Sequence, residues 1–371
     1  NATTGGYDVT ISQGSGANVT VGNGNVKMIA TDGAGAGGVV YDLLTDLEVA
    51  GSFTTTGDIT ATGNLSATKL TSNNGVLELD DNGTHNGVIN VPASLFINID
   101  SDNGATGEDF VIAKDRTSTT GGTELFRVQE DGNVGIGDTV PAWGSSYRAV
   151  TIGSSGSIWA SKTGTSGSFI SDNSYFNGSN NIARNANAGS EYAQSTGHHV
   201  FYTAASVSAG ATQTMTTVLK TDPNGHVTMP LQPAFNAIPA TNQTNMSTNT
   251  NVTVVFGTEV FDVGSNFASN TFTAPVTGKY QLNVNIRLNN VDTAADYYTI
   301  YLVTSNRQYY ALEDPGQYAG DIPYKTYNIS VLADMDASDT AFVRFYQSGG
   351  TAQTDTNYDD GGTTFTGYLA C

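Results

Sequence analysis

A few side chains in this sequence have the type and spacing to bind an ion. Residues 98–104, Asn-Ile-Asp-Ser-Asp-Asn-Gly, place oxygen ligands at alternate positions, as a calcium loop does. However, Asn103 replaces the glycine that makes the turn of such a loop, and Asp109 replaces the bidentate glutamate at its twelfth position. We therefore expect a solvated acidic turn here, without a bound ion.

Two further patterns have features of cofactor or metal sites. The run Gly33-Ala-Gly-Ala-Gly-Gly38 has the glycine spacing of a dinucleotide site, but no helix-forming segment follows it and no strand-helix-strand unit surrounds it. His198 and His199 are adjacent, so their side chains would leave a strand on opposite faces and are poorly placed to share a metal ion. We expect a flexible turn at the glycines and a surface or interface role for the histidines, and we predict no cofactor.

Paired carboxylates are the groups that polysaccharide hydrolysis requires. The adjacent acidic pairs in the C-terminal region are Glu313-Asp314 and Asp359-Asp360, and both have turn-like sequence contexts. Solvated turns are their expected structure, so we predict that the protein is not an enzyme. A polysaccharide-degrading function stays an alternative, because carboxylates that are distant in sequence can also meet in a fold.

Aromatic side chains offer a different chemistry, since a tyrosine combines an apolar ring face with a polar hydroxyl. Four tyrosines of the C-terminal region are candidate contacts to a sugar or protein receptor: Tyr309, Tyr310, Tyr318 and Tyr324. The alternative is that they pack in the core or in an interface between subunits.

The composition limits what surrounds these residues. In 371 residues there are 14 Lys and Arg against 34 Asp and Glu, and charged residues make up 13% of the chain, about half the usual share. A net charge of −20 without clustered basic residues argues against a nucleic-acid partner, because phosphate binding needs Lys and Arg. No apolar run approaches the roughly 20 residues of a membrane-spanning helix, so we expect no membrane insertion.

Short strands and tight turns dominate the sequence pattern. The chain contains 43 Gly and 18 Tyr, and no window of helical length shows an apolar stripe at helical spacing. Cys371 is the single cysteine, so no intrachain disulfide can form and stability must come from burial and assembly. We expect an all-β protein.

An internal repeat with a period of six residues follows the first β region. Gly51-Ser-Phe53, Gly57-Asp-Ile59 and Gly63-Asn-Leu65 each place a glycine, a polar residue and an apolar residue in the same order. One chain with so short a period exposes too little apolar surface to form a core, whereas three chains around one axis can bury it. We predict an elongated homotrimeric shaft, β-helical or β-spiral; a chance run in a Gly- and Thr-rich sequence is the alternative.

Two distant segments have the layout of one β-hairpin module. Residues 125–137 and 219–229 each run from an apolar strand through a polar turn into a short strand. Their turns contain Asp131-Gly132 and Asn224-Gly225, pairs that tolerate the positive φ angles of a tight hairpin. We predict the same hairpin at both places.

The first of these hairpins also carries a family resemblance. Residues 132–141, Gly-Asn-Val-Gly-Ile-Gly-Asp-Thr-Val-Pro, resemble a signature common in phage tail fibres and related bacterial fibre proteins, with Asp138 where that pattern has Thr. Residues 41–51, which lead into the six-residue repeat, are similar to the start of the shaft in the same proteins. The resemblance implies an extracellular virion protein, a tail fibre joined to other tail proteins through an N-terminal region.

The region from Pro233 onward alternates apolar and polar residues most regularly. Its clearest strand runs from Thr277 to Leu288, with every second residue apolar from Tyr280 on. Similar bursts follow at residues 297–303, 327–332, 341–346 and 365–369. Roughly 140 residues with this spacing predict a sandwich of two antiparallel sheets.

The same region resembles the trimeric globular heads of complement and of the tumour-necrosis-factor superfamily. The resemblance is carried by Ala234-Phe-Asn-Ala237, by Val255-Phe256, by residues 270–280 with their Phe-Thr-Ala-Pro-x-x-Gly-x-Tyr core, and by Phe365-Thr-Gly-Tyr-Leu369. It implies a jelly-roll head that forms a homotrimer. It assigns no ligand residues, because residues 289–324 do not align with the pattern.

Together these patterns predict four regions along the chain. They are an N-terminal β region (1–46), a repetitive trimeric shaft (47–144), an intermediate β domain with a neck (145–232) and a jelly-roll head (233–371). We expect a structural and adhesive tail fibre whose head attaches to a host surface glycan or protein. A bacterial surface adhesin and a polysaccharide-degrading fibre are the alternatives.

Overall fold

The computed structural model of this chain describes residues 1–2, 4–43, 52, 54–56, 59, 66, 86–104, 106–116, 120–164, 167–358 and 361–371. The helical elements within these ranges are two short 3₁₀ turns, Gly35–Gly37 and Pro315–Gln317, which confirms the prediction of an all-β protein. No helix in the described ranges is long and apolar enough to span a membrane. The six-residue repeat lies almost wholly outside the described residues, so the shaft stays a prediction.

Two compact units divide the chain, Asn1–Ser94 and Leu95–Cys371. The first unit contains two hairpins of short antiparallel strands. Its strands are β1 (Val9–Ile11), β2 (Val19–Val21), β3 (Ile29–Thr31) and β4 (Val40–Asp42). Between β3 and β4, the carboxylate of Asp32 accepts hydrogen bonds from the backbone N–H groups of Ala34 and Val39, at 3.0 and 3.1 Å. The glycine run at residues 33–38 is therefore a turn between two strands.

The second unit begins with a ten-stranded sheet, which we call the body sheet. The strands of this part of the chain are β5 (Phe110–Lys114), β6 (Thr123–Val128), β7 (Val134–Ile136), β8 (Tyr147–Ile152), β9 (Gly156–Ser161), β10 (Ser168–Asp172), β11 (Ser174–Phe176), β12 (Asn181–Ala183), β13 (Gly189–Ser195), β14 (His198–Ala204), β15 (Thr216–Thr221) and β16 (Val227–Thr228). The body sheet runs in space from β5 to β10 and then from β13 to β16. Neighbouring strands are antiparallel except β7 and β8, which are parallel. The predicted boundary between residues 144 and 145 falls between these two paired strands; the division into four regions stays a prediction.

The chain itself covers one face of the body sheet. β11 and β12 form a hairpin there, and the Ser157 hydroxyl donates a hydrogen bond to the Ser174 carbonyl oxygen at 3.1 Å. The rings of Trp143 and Trp159 lie 5.6 Å apart, and the Trp159 ring stacks on Phe169 at 3.8 Å. These contacts form a small aromatic core on this face.

The two hairpins predicted from sequence adopt the same structure. In the turn between β6 and β7, the N–H of Gly132 donates a hydrogen bond to the Gln129 carbonyl oxygen at 2.8 Å. In the turn between β15 and β16, the N–H of Gly225 donates to the Asp222 carbonyl oxygen at 3.0 Å. The two glycines have φ angles of 86° and 88°, which a residue with a Cβ adopts only with strain. The prediction of a repeated hairpin is confirmed.

The C-terminal region, which we call the head, is a sandwich of two antiparallel sheets, as predicted. Its strands are β17 (Ala234–Ile238), β18 (Val252–Thr253), β19 (Thr258–Val263), β20 (Phe267–Ala268), β21 (Thr271–Thr273), β22 (Gly278–Val291), β23 (Ala295–Thr304), β24 (Gln308–Glu313), β25 (Ile322–Met335), β26 (Thr340–Gly349), β27 (Asp355–Thr356) and β28 (Thr364–Leu369). One sheet, the β22 sheet, has the order β19-β17-β28-β22-β25, with β27 paired to β22. The other, the β23 sheet, has the order β20-β21-β26-β23-β24, with β18 paired to β26.

Alternating residues of the two sheets form the core of the head. In β22, Tyr280, Leu282, Val284, Ile286 and Leu288 are all buried, as the sequence alternation predicts. Six phenylalanines pack in the same core: Phe235, Phe256, Phe267, Phe272, Phe345 and Phe365. A Cβ added to Gly367 would lie 2.6 Å from Leu282 and 2.7 Å from Phe235, so the glycine of the closing strand lets the sheet approach its core.

Candidate functional site

Outward-facing residues of the β23 sheet form an aromatic surface on the head. Ile300 and Leu302 of β23 are fully buried, so Tyr301 between them points to the outside. Strand register places Tyr301 opposite Tyr310 of β24 on one side and opposite Arg344 of β26 on the other. The surface, which we call the tyrosine face, consists of Tyr297, Tyr301, Tyr310, Tyr346 and Arg344.

Ring contacts order the tyrosine face. The ring centroids of Tyr301 and Tyr310 lie 5.9 Å apart, and those of Tyr297 and Tyr346 lie at the same separation with nearly parallel planes. The guanidinium carbon of Arg344 lies 4.9 Å from the centre of the Tyr301 ring, a cation–π contact. Rings held in this way lose little conformational freedom when a ligand binds, which favours affinity.

The tyrosine face combines exposed ring surface with hydrogen-bond donors. Tyr310 is 64% exposed and is the most accessible ring of the group. Partial desolvation and the neighbouring Tyr297 raise the pKa of Tyr346, so its hydroxyl stays protonated. Nη2 of Arg344 donates to Gln308 at 3.0 Å, and its Nε is buried without a hydrogen-bond partner among the described residues. Such a surface suits a ligand with apolar faces and many hydroxyl groups, which is the chemistry of a sugar.

The four tyrosines predicted as receptor contacts do not form one site. Tyr310 belongs to the tyrosine face, whereas the neighbouring Tyr309 turns inward and packs against the core of the head. Tyr324 lies on the other sheet, in β25, where it is 65% exposed and the guanidinium carbon of Arg287 lies 4.6 Å from its ring centre. Tyr309 is therefore a core-packing residue, as the alternative predicted. A role of Tyr310, Tyr318 and Tyr324 in receptor binding stays a prediction.

Tyr318 belongs to a small polar cluster between β24 and β25. Oε1 of Glu313 accepts hydrogen bonds from the Tyr318 hydroxyl and from the Lys325 ammonium, both at 2.7 Å. Burial opposes ionisation of Glu313, but these two hydrogen bonds outweigh it and lower the pKa of the carboxyl. A carboxylate kept ionised in this way is poorly suited to the general-acid role in glycoside hydrolysis.

The second member of that acidic pair also has a structural contact. Oδ1 of Asp314 accepts a hydrogen bond from the N–H of Gly316 at 2.8 Å and caps the 3₁₀ turn at Pro315–Gln317. The predicted turn therefore begins at Asp314, whereas Glu313 is the last residue of strand β24 and is mostly buried, which corrects the prediction of a solvated turn at that position. Asp359 and Asp360 lie outside the described residues.

The predicted acidic turn at residues 98–104 is exposed to solvent. Oδ1 of Asp100 accepts a hydrogen bond from the N–H of Gly104 at 3.1 Å, which closes the turn. Asp109, at the position of the last ligand in a calcium loop, instead forms an ion pair with Arg127. The turn is thus stabilised by its own hydrogen bond.

The adjacent histidines have separate partners. Nδ1 of His198 lies 3.0 Å from the Thr221 carbonyl oxygen, and Nδ1 of His199 lies 2.6 Å from the Tyr192 hydroxyl. Within the described ranges, no group of three or more His, Cys, Asp or Glu is placed to hold a metal ion.

The head also has an open polar cleft of about 560 Å³. Amide and carboxylate side chains line it, among them Asn290, Asp321 and Asp355. Hydrogen bonds from Thr293 and Gln353 lower the pKa of Asp321, and Asp355 accepts from the N–H of Asn245 at 2.7 Å. Because these carboxylates already have donors in the chain, the cleft is less open to a ligand than the tyrosine face.

Sequence reasoning missed four members of the tyrosine face, Arg344 and three of its tyrosines. Tyr297, Tyr301 and Tyr346 lie in segments predicted as strands, but which face they occupy depends on register. A sequence pattern could have identified two of them. Tyr301 and Tyr346 each lie between residues that are buried in the core, and alternation along a strand then places both tyrosines on the outer face.

The fold and its core define the class of the head: a two-sheet antiparallel β-sandwich. Residues 234–370 match the family model described as the C1q domain. Similar solved structures include the globular domain of zebrafish complement 1qA protein, with 12% identity, coverage of 38% of this chain and 98% of that one, and a TM-score of 0.29. A structure of murine APRIL at pH 8.5 has 10% identity, covers 37% of this chain and 98% of its own, and has a TM-score of 0.28. No curated protein matches the chain. The predicted head thus has the two-sheet jelly-roll sandwich and matches the C1q-domain model over residues 234–370.

Proposed function

We propose that this chain is the subunit of a homotrimeric, receptor-binding tail fibre, which attaches a virion to a host surface through its C1q domain. The observation that carries the proposal is the tyrosine face, an ordered group of outward rings on the head. A trimer presents three such faces, so that weak contacts to a surface glycan add up through avidity.

The outward face of the β22 sheet supports the trimer. Phe261, Leu332 and Tyr368 are each about half exposed there, at 50%, 57% and 49%. The side-chain oxygens of Asn236 and Asn289 on the same sheet are buried but have no hydrogen-bond donor among the described residues. We propose that the other two copies cover these apolar groups and supply donors to the two amides.

Two sequence features support the fibre itself. Residues 132–141 resemble the tail-fibre signature, and the six-residue repeat at residues 51–65 suits a shaft in which three chains share a core. In this proposal the head is the distal, cell-binding end, and a region toward the N-terminus joins the other tail proteins. The expected location is the virion, outside the cell.

Polysaccharide cleavage is not favoured, because the hydrogen bonds of Glu313 lower its pKa and Asp314 caps a turn. Release of oligosaccharides from bacterial capsule by the purified protein would restore that alternative. A bacterial surface adhesin would use the same face, and detection of the chain in purified phage particles would exclude it.

The binding site is tested with a double variant, Tyr301→Ala with Tyr310→Ala, in the full chain. Binding to a panel of bacterial cells and to an array of bacterial surface glycans should fall at least about tenfold, because each lost ring contact is repeated three times in the trimer. The matched control is Tyr358→Ala, since Tyr358 is also exposed, at 49%, but follows β27 and lies outside the strands of both sheets.

Native mass should remain that of three chains in both variants. Unchanged binding by the double variant would refute the tyrosine face as the site. A monomeric wild-type protein would refute the fibre proposal as a whole.

A further inference from the structure

One row of side chains crosses nine strands of the body sheet on a single face. Strand register pairs each member with the next, and directly paired residues lie on the same face of a sheet. The row, which we call the apolar row, consists of Phe110, Val128, Val134, Val150, Ile158, Ile170, Tyr192, Phe201 and Leu219. Every member is apolar or aromatic.

The apolar row is open to solvent in the single chain. None of its members is buried, and Ile158, Ile170 and Phe201 are 50%, 55% and 46% exposed. Ile136 and Ile152 extend the same face two residues along β7 and β8, at 41% and 49% exposure. The face therefore continues beyond the row itself.

The opposite face of the same strands is covered by the chain, which buries polar residues there beside the small aromatic core. The neighbouring row there contains Thr151, Ser157, Ser171 and Glu191, which are 1%, 2%, 4% and 7% exposed. An antiparallel sheet with one solvated face normally turns its polar residues to water and its apolar residues to the core. Here polar residues are buried by the chain and a continuous apolar row is not, so the apolar face lacks its cover.

The size of the face is that of an interface. Five half-exposed and six partly exposed apolar side chains lie together on this face, whereas monomeric proteins rarely expose contiguous apolar patches above a few hundred Å². A stable protein interface buries roughly 800 Å² on each partner. The row contains no charged side chain, so packing it against another copy brings no like charges into contact, although each copy carries a net charge of −20.

We infer that the apolar row packs against the same row of two further copies of this chain, so that three body sheets enclose a shared core around the trimer axis. The inference rests on the trimer proposed above and names its interface outside the head. Because the head and the body sheet lie in one compact unit, trimerisation of the head brings the three apolar rows to high local concentration.

The test uses the full chain with Cys371→Ser, so that a single introduced cysteine reports on the face. Ile170→Cys, the row variant, places a thiol in the middle of the apolar row. Ser208→Cys, the loop variant, is the matched control, because Ser208 is exposed in the loop between β14 and β15, whose residues contact the covered side of the sheet. Native mass, reaction with a bulky maleimide and cross-linking by a short bismaleimide are measured on each variant.

The expected result is a trimeric mass for both variants. The thiol of the row variant should be protected from the bulky maleimide and cross-linked between copies, whereas the thiol of the loop variant should be freely modified. A trimer in which the row variant reacts as fast as the loop variant and forms no cross-link would overturn the inference while leaving the trimeric head intact. A monomer would overturn both. Protection of the row variant without cross-links between copies would place another segment or another protein on the face, and would also overturn the inference.

A charged pair of substitutions gives an independent readout. Ile158→Asp with Ile170→Asp should leave the head trimeric but expose the body sheet, so that proteolysis between residues 110 and 228 becomes at least about tenfold faster. The control Ser208→Asp should match the parent chain. Equal proteolysis of all three proteins would contradict the inference.

Discussion

In the head, two sheets cover each other, whereas the body sheet covers one of its faces and leaves nine apolar or aromatic residues in a row on the other. The difference lies in where the second layer comes from. The head closes its core with its own chain, and residues such as Phe235 and Phe365 are at most 1% exposed. The body sheet needs a layer that the single chain does not supply. A β region can thus be a complete domain or one part of a core shared between chains. The two cases differ in whether the single chain covers every apolar face of the region.

Separate expression of the two regions is the strongest test of whether the head folds by itself and the body sheet does not. A fragment of residues 233–371 should be soluble and should unfold cooperatively, because its core is complete. A fragment of residues 95–232 should aggregate or remain without cooperative unfolding, because its apolar row has no cover. Gel filtration and thermal unfolding measure both. A body fragment that is monomeric and unfolds cooperatively would refute the distinction.

A substitution in the core of the head should have the next largest effect, a loss of folding stability. Phe235→Ala removes a ring whose centroid lies 4.7 Å from Phe272 and 4.9 Å from Phe365, and should lower the free energy of unfolding by about 3–5 kcal/mol. The control is Val276→Ala, because the Val276 side chain is 47% exposed. This control should change the free energy of unfolding by less than about 0.5 kcal/mol. Urea unfolding of the head fragment measures the difference. Equal losses in the two variants would show that Phe235 is not part of a close-packed core.

The buried side of the body sheet predicts a dependence on pH. Burial raises the pKa of Glu191 from 4.5 to about 7, although contact with Trp159 opposes this. The folded protein therefore keeps a proton that the unfolded chain loses above pH 4.5. Stability should fall as the pH rises from about 4.5 to 7, by up to about 3 kcal/mol, and should level off above pH 7.

Glu191→Gln checks this prediction, because an amide of the same shape does not titrate. Its melting temperature in the full chain should be higher than that of the parent at pH 8, and should vary less between pH 5 and pH 8. Glu259→Gln replaces an exposed carboxylate of the head and serves as the control. A parent protein whose stability is flat over this range would contradict a neutral, buried Glu191.

The smallest expected difference between the regions is in how much their ion pairs contribute to the free energy of unfolding. In the body sheet, Arg127 donates from Nε to Glu124 at 2.7 Å and also pairs with Asp109, and these side chains are mostly buried. Arg127→Gln should cost about 2 kcal/mol, since it leaves two carboxylates without their cation. The exposed pair of Arg307 and Asp334 in the head should contribute less than about 1 kcal/mol, as measured with Arg307→Gln. Equal costs would mean that burial does not strengthen the body-sheet pair.

Much of the fold was predictable because its signals are local. The strand at Thr277–Leu288, the two hairpins at Gly132 and Gly225, and the C1q character of residues 234–370 each depend on a short motif or a strict alternation. The candidate site was less predictable. Tyr309 and Tyr310 are adjacent and of the same type, but one packs on the core and the other is exposed, because successive residues of a strand face opposite ways.

The sequence by itself determined that the chain is β-rich, that it has a C-terminal sandwich, and which residues alternate into its core. Only the tertiary structure decided that tyrosines from three strands form one surface, and that the chain covers one side of the body sheet while an apolar row lies on the open side. The physical reason is that alternation divides a strand into two faces but does not say which one the rest of the chain covers. That choice depends on strand register and on contacts between distant segments.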